Sequence, residues 1–167
     1  GYFGCRNHNG TFSAEKFAER SRIDQVKMIE IKLSQGAKPG KGGVLPKEKI
    51  TPEIAETRDV PMDADCVSPA SHSAFTTPRE MVQFWQQLRE LSGGKPVGFK
   101  LCVGQPWQFM AIVKAMIEAD NYPDFIVVDG AEGGTGAAPV EFMDNVGMPL
   151  LDGFLLVHNT LVGAGVR

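Results

Sequence analysis

Residues 97–129 read VGFKLCVGQPWQFMAIVKAMIEADNYPDFIVVD. Val97–Cys102 is a strand-forming run, and a helix is predicted from about Pro106 to Ala119. Phe125-Ile126-Val127-Val128 is a continuous apolar, largely β-branched run, the pattern of a parallel strand buried on both faces. It ends in Asp129. A strand, a helix and a second strand in this order make a βαβ unit, and function in such folds sits at the C-terminal ends of the strands.

Working outward, the unit repeats. Ile29-Glu30-Ile31-Lys32-Leu33-Ser34 alternates apolar and polar, so a strand is predicted with Glu30, Lys32 and Ser34 on one face. Ser13 is placed to cap a helix to about Arg22, with Phe12 and Phe17 as its hydrophobic staple. Thr51-Pro52 opens a short helix through Arg58. Cys66-Val67-Ser68 reads as a short strand. Thr77-Pro78-Arg79-Glu80 is a capping box for a helix with the apolar stripe Met81, Phe84, Trp85, Leu88 and Leu91. Gly93-Gly94 and Pro96 stop it. A last helix is predicted over 151–162. Polar residues end four strands, Lys32, Ser68, Lys100 and Asp129, each about one βα unit from the next. An eight-unit barrel needs roughly 200 residues or more. A chain of 167 residues with four or five units is either an open doubly wound sheet or part of a barrel.

Composition narrows the function classes. The chain is 43% hydrophobic and 22% charged, an ordinary globular profile. A net charge of -3 argues against a general nucleic-acid binder. No apolar stretch has the length of a membrane span, and the Gly1-Tyr2-Phe3-Gly4 opening has neither a signal-peptide pattern nor an initiator Met, as expected of a piece of something longer. Cys5, Cys66 and Cys102 are far apart and match no metal-ligand spacing, so no metal is expected. Reduced thiols fit a cytoplasmic protein.

Three features suit chemistry. The loop 35–46 is rich in Gly, Lys and Pro, and residues 32–58 carry five Lys and one Arg against three Glu. A positive field beside bare backbone suits a small dianion, a dicarboxylate or a phosphate, although a solvated basic loop has the same composition. The loop Asp129–Pro139 has the glycines to pass beneath a flat ring, but lacks the GxGxxG spacing; a tight strand-to-helix turn reads equally well. Lys100 and Lys32, near strand ends, each need a ligand or a salt-bridge partner such as Asp129 or Glu30. His72 and Cys102 are weaker candidates, read as a surface histidine and a packed thiol.

At these loops the sequence resembles a known family. Lys32-Leu33-Ser34-Gln35-Gly36-Ala37-Lys38-Pro39-Gly40, Gly42-Gly43, Leu45-Pro46, Ile54-Ala55 and Arg58 look like the signature of glutamate synthase. Phe99-Lys100-Leu101 and Gly130–Pro139 match two further blocks in order, and stand-alone glutamate synthase-like proteins are similar over nearly the whole length. The resemblance implies an FMN-binding TIM (βα)8 barrel, of which residues 1–167 are one segment, incomplete at both ends. It implies hydride transfer to 2-iminoglutarate, formed from 2-oxoglutarate and ammonia, giving L-glutamate. Lys32 and Lys100 would be catalytic, Lys38, Arg58 and Gln35 would bind substrate, and Lys100, Gly133, Gly134 and Thr135 would face the flavin.

Val44 stands where the larger synthases carry Gln, which leaves the keto acid open. The flavin phosphate site, the iron–sulfur cysteines and the glutaminase domain have no counterpart in these residues. Ammonia and electrons are therefore expected from glutaminase and electron-donor partners, a ferredoxin or an NAD(P)H reductase. Two alternatives stay open: a flavin enzyme acting on N-methylglutamate-type or prenyl-diphosphate-type substrates, and a non-catalytic, self-associating fragment.

Overall fold

The computed structural model describes residues 4–36, 43–133 and 138–166. The elements are, in order, α1 (Ala14–Ser21), β1 (Ile29–Lys32), β2 (Val44–Leu45), a 3-10 turn (Lys47–Lys49), α2 (Pro52–Arg58), β3 (Cys66–Val67), α3 (Pro78–Leu91), β4 (Val97–Cys102), α4 (Pro106–Ala119), β5 (Ile126–Asp129) and α5 (Leu150–Gly163).

Local sequence rules fix the helix starts. The Ser13 side chain accepts the Lys16 amide, and the Phe12 and Phe17 rings lie 5.6 Å apart. Thr51 accepts the Ile54 amide and Thr77 the Glu80 amide; the Glu80 carboxylate returns to the Thr77 amide and completes the capping box. Such caps satisfy amide groups that the first helical turn leaves without partners.

β1, β4 and β5 form a parallel sheet in that order, with Ile29 opposite Val97 and Phe99 opposite Ile126. α3 packs on α4, and α4 on α5, while α3 also touches β4 and α5 touches β5. Parallel strands that follow one another in the direction of the chain, with a row of successive helices packed side by side, are the arrangement of a partial α/β barrel. The core lies between the sheet and this helical row. Trp85 of α3 stacks on Phe99 of β4 at 6.0 Å, both without exposed surface, and its indole N–H donates to the Asn121 amide oxygen at 3.0 Å.

Two expectations change. Cys66–Val67 is not a strand of the parallel sheet: it pairs antiparallel with Val44–Leu45, so Ser68 marks no parallel strand end and the parallel sheet has three strands among the described residues. A two-residue strand carries too little periodicity to reveal its partner. β5, expected to be buried on both faces, is half-buried at all four positions because it stands at the sheet edge. On the sheet face away from the helices, Gly98 has no side chain, and Phe125 fills the space: a Cβ on Gly98 would lie 2.3 Å from the Phe125 carbonyl oxygen and 2.5 Å from its ring.

Truncating the stacked pair tests this core. Phe99→Ala is expected to destabilise the protein by about 3–5 kcal/mol in denaturant unfolding. Arg79→Ala, which removes an exposed ion pair to Glu118, is expected to cost less than about 1 kcal/mol.

Candidate active site at the parallel strand ends

The parallel register lines up side chains from three strands. Lys32 of β1 lies opposite Lys100 of β4, which lies opposite Val127 of β5, and Cys102 lies opposite Asp129. Because alternate residues share a face, two ammonium groups occupy one row, and Asp129 rises one step beyond it. The Lys100 ammonium sits 3.0 Å from Asp129 Oδ2, with both side chains about one-third exposed or less, and Lys32 Nζ donates to Gln35 Oε1 at 3.0 Å.

The chain leaving β1 then arches over the end of β4. Ser34 Oγ accepts the Cys102 amide at 2.8 Å and donates to the Cys102 carbonyl at 3.2 Å. Two residues later the Gly36 amide donates to Asp129 Oδ2 at 3.2 Å. Gly36 is buried against Gly130, where a Cβ would lie 1.7 Å from the Gly130 carbonyl oxygen. Only a residue without a side chain permits that approach. On the other flank, a Cβ on Gly147 would lie 2.4 Å from Cys102 Sγ. The Ala131 amide donates to the Met148 carbonyl, the Met148 amide to the Val103 carbonyl, and the Leu150 amide at the start of α5 to Glu132 Oε1 at 2.7 Å. Gly133, at φ +73°, donates its amide to Asp144 Oδ1 at 2.9 Å.

The electrostatics follow from these contacts. Partial burial pushes the Asp129 carboxyl upward, but bonds from Lys100 and Gly36 outweigh it and hold the group below the ordinary carboxylate range. The Cys102 thiol is pushed up by burial and then by Asp129, so it is a protonated packing group and not a nucleophile. His72, read from sequence as a surface residue, is instead half-buried, stacked 4.5 Å from Phe75, and burial lowers its pKa to about 4.

Lys32, Gln35 and Lys100 therefore come together at the strand ends. Gly133 lies in the loop after β5. Arg58 is exposed in the last turn of α2, beside Asp59, which is paired with Lys16 of α1. Lys38, Gly134 and Thr135 lie outside the described residues. An open groove of about 1260 Å³ follows the outer edge of β1; Lys32, Gln35, His72 and Phe84 line it, but Lys100, Asp129 and Arg58 do not. The groove and the charged row share Lys32 and Gln35, and only the row gathers polar groups from three strands. Gly36 and Glu132 stand in the two glycine-rich loops that the sequence marks, but their contacts with Asp129 and the Leu150 amide have no signal there. Ser34 was visible as the next residue on the Lys32 face; Asp144 has no local signal.

The whole chain, residues 1–167, matches the family described as a conserved region in glutamate synthase. It is 42% identical over 167 residues to a glutamate synthase large subunit-like protein, YerD, of Bacillus subtilis (strain 168), covering 100% of this chain and 31% of that protein. It is 41% identical over 140 residues to the archaeal glutamate synthase [NADPH] of Methanocaldococcus jannaschii, covering 83% and 27%, and 34% identical over 142 residues to the ferredoxin-dependent glutamate synthase of Antithamnion sp., covering 85% and 9%. The chain belongs to the glutamate synthase domain family. It spans less than a third of the length of these relatives.

Two outcomes check this geometry. Gly36→Ala should lower thermal stability by an amount equivalent to about 1–3 kcal/mol, as overpacking against rigid backbone does. Gly104→Ala, whose added Cβ meets nothing nearer than 3.8 Å, should change it by less than about 0.5 kcal/mol. His72 binds a proton more readily in the unfolded chain than in the folded one, so its contribution is complete above about pH 6.5 and shrinks as pH falls toward 4. His72→Phe should flatten the stability profile across that window in unfolding titrations.

Proposed function

We propose that this chain is the flavin- and substrate-facing segment of the synthase barrel of a glutamate synthase-type oxidoreductase. The parent enzyme would reductively aminate 2-oxoglutarate, through 2-iminoglutarate, to L-glutamate. The observation that carries this reading is the row of two ammonium groups, Lys32 and Lys100, at parallel strand ends in a chain of this family. The full barrel, with residues 1–167 as one segment, is part of the same proposal.

The donor set fits a flavin mononucleotide. Lys100, half-buried and held on the sheet face away from the helices, offers a fixed positive charge to the electron-rich edge of an isoalloxazine ring, and the close Gly36–Gly130 approach keeps side chains out of the strand-end floor. Bound there, the flavin would supply the hydride. The donor set does not fit an iron–sulfur cluster: among the described residues no three His, Cys, Asp or Glu side chains group together, and Cys5 and Cys102 are buried apart.

The residues of this chain would then bind, orient and neutralise. Lys38 and Arg58 would hold the two carboxylates of the keto acid. Lys32, steadied by Gln35, would bring its ammonium to the reacting end and stabilise negative charge there. Gly133, Gly134 and Thr135 would offer backbone and hydroxyl donors along the flavin. Ammonia would come from a glutaminase or from solution. Electrons would come from a donor of the kind for which two relatives are named, NADPH or ferredoxin. No helix among the described residues is long and apolar enough to cross a membrane, and a cytoplasmic location is part of the proposal.

Val44 supports a second reading. It is 45% exposed in β2, at the position where the larger synthases carry Gln, and an apolar side chain there favours a different keto acid or amine.

The test uses the full-length parent protein. It should purify yellow, with flavin absorbance, and turn over 2-oxoglutarate with ammonia. Lys38→Ala should raise the KM for 2-oxoglutarate by roughly tenfold or more, the loss of a charge-assisted contact. Turnover only with other substrates would favour the second reading. Protein that stays colourless after FMN is added would reject the flavin enzyme and favour a non-catalytic role for this chain.

A further inference from the structure

We propose that Asp129 is a positioning residue of this site, one carboxylate oxygen that both tempers the charge of Lys100 and anchors the chain leaving β1 at Gly36, next to Gln35. The inference rests on the flavin reading above and deepens it. Asp129 Oδ2 stands 3.0 Å from the Lys100 ammonium and accepts the Gly36 amide at 3.2 Å. Lys100 belongs to the central strand and Gly36 to the chain leaving β1, so one atom ties β1 and β5 together across the end of β4. Gly36 cannot take another position cheaply: Ser34 fixes the chain on Cys102 two residues before it, and the Gly130 carbonyl closes the space above it.

The consequence is electrostatic and geometric at once. A carboxylate beside Lys100 compensates part of its positive charge, so the field at a bound ring is weaker than a lone ammonium would give. Electrons placed on that ring are correspondingly less stabilised. The chain anchored at Gly36 also carries Gln35, which holds the Lys32 ammonium at 3.0 Å, so its placement governs how Lys32 meets the keto acid. The two effects separate by substitution. Asp129→Asn keeps the shape but removes the charge. Asp129→Glu keeps the charge but lengthens the reach by one methylene, and displaces the bond to Gly36.

The experiment compares the full-length parent protein with both variants, reading flavin content, the midpoint potential of the bound flavin by spectroscopic reductive titration, and kcat and KM for 2-oxoglutarate separately. Asp129→Asn is expected to move the potential in the positive direction and to raise KM roughly tenfold, the cost of weakening a charge-assisted anchor. Asp129→Glu is expected to keep the wild-type potential while KM rises. A flavin-loaded Asp129→Asn protein with wild-type potential and KM overturns the proposal. So does a folded Asp129→Glu protein whose potential moves from the wild-type value while its KM does not, an outcome that needs only the wild type for comparison and so also decides the matter if the Asn variant does not fold. A colourless wild-type protein overturns the flavin reading itself, and this inference with it, whereas a yellow wild type with unmoved variants overturns this inference alone.

Discussion

Parallel hydrogen bonding along both edges of β4 is the constraint on which the site depends. β4 is the central strand, and its two registers decide which residues of β1 and β5 share a row. A one-residue slip on either side would turn Lys32 or Asp129 to the helical face. The register is secured from outside the site: Ile31, Phe99 and Leu101 are buried against the helices, and Trp85 lies flat on Phe99. Apolar packing on one face thus holds polar groups in place on the other. The cost of holding charge near the core is offset locally, by pairing Lys100 with Asp129 and Lys32 with Gln35.

The connections after the strands show a second economy. Three glycines, Gly36, Gly130 and Gly147, let the segments after β1, after β5 and before α5 meet where side chains would collide. Their contacts supply a rigid floor, since backbone has no rotamers to lose. The glycine richness of these loops thus has a packing cause in the described residues, independent of any ligand.

What the sequence revealed and what it hid divide along the range of the interactions. The caps at Ser13, Thr51 and Thr77 are decided within a few residues, and the helices begin where the sequence places them. β4 and α4 have the expected bounds, because turn residues flank both. The pairing of Val44–Leu45 with Cys66–Val67, by contrast, joins short segments around a helix, and no periodicity announces it. Asp129 was legible as a strand end and as one of two acids able to pair with Lys100; that it also takes the Gly36 amide, from far away in the chain, was not. The half-buried state of β5 was hidden for a similar reason. A run of Ile and Val reports that a strand seeks cover, but not how much of that cover the neighbouring elements supply. The same holds for α5, where Leu151 and Phe154 are 67% and 53% exposed. Further barrel units in a longer parent would be the natural cover under the proposed reading, as would partners for the outer edges of β1 and β5.

Phe125, lying across Gly98, gives the sheet face a direction. One step below the lysine row, β4 contributes no side chain, and an aromatic ring takes up that room. The Phe125 ring lies behind Lys100 and the exposed residue Glu30 behind Lys32, while Ser34 and Asp129 lie in front. Hydrocarbon screens a charge far less than water does, so the field of Lys100 is moderated chiefly from the front, by Asp129 and solvent. The central strand thus passes from an aromatic seat at Gly98 to a polar threshold at its far end, where Ser34 and Asp129 gather.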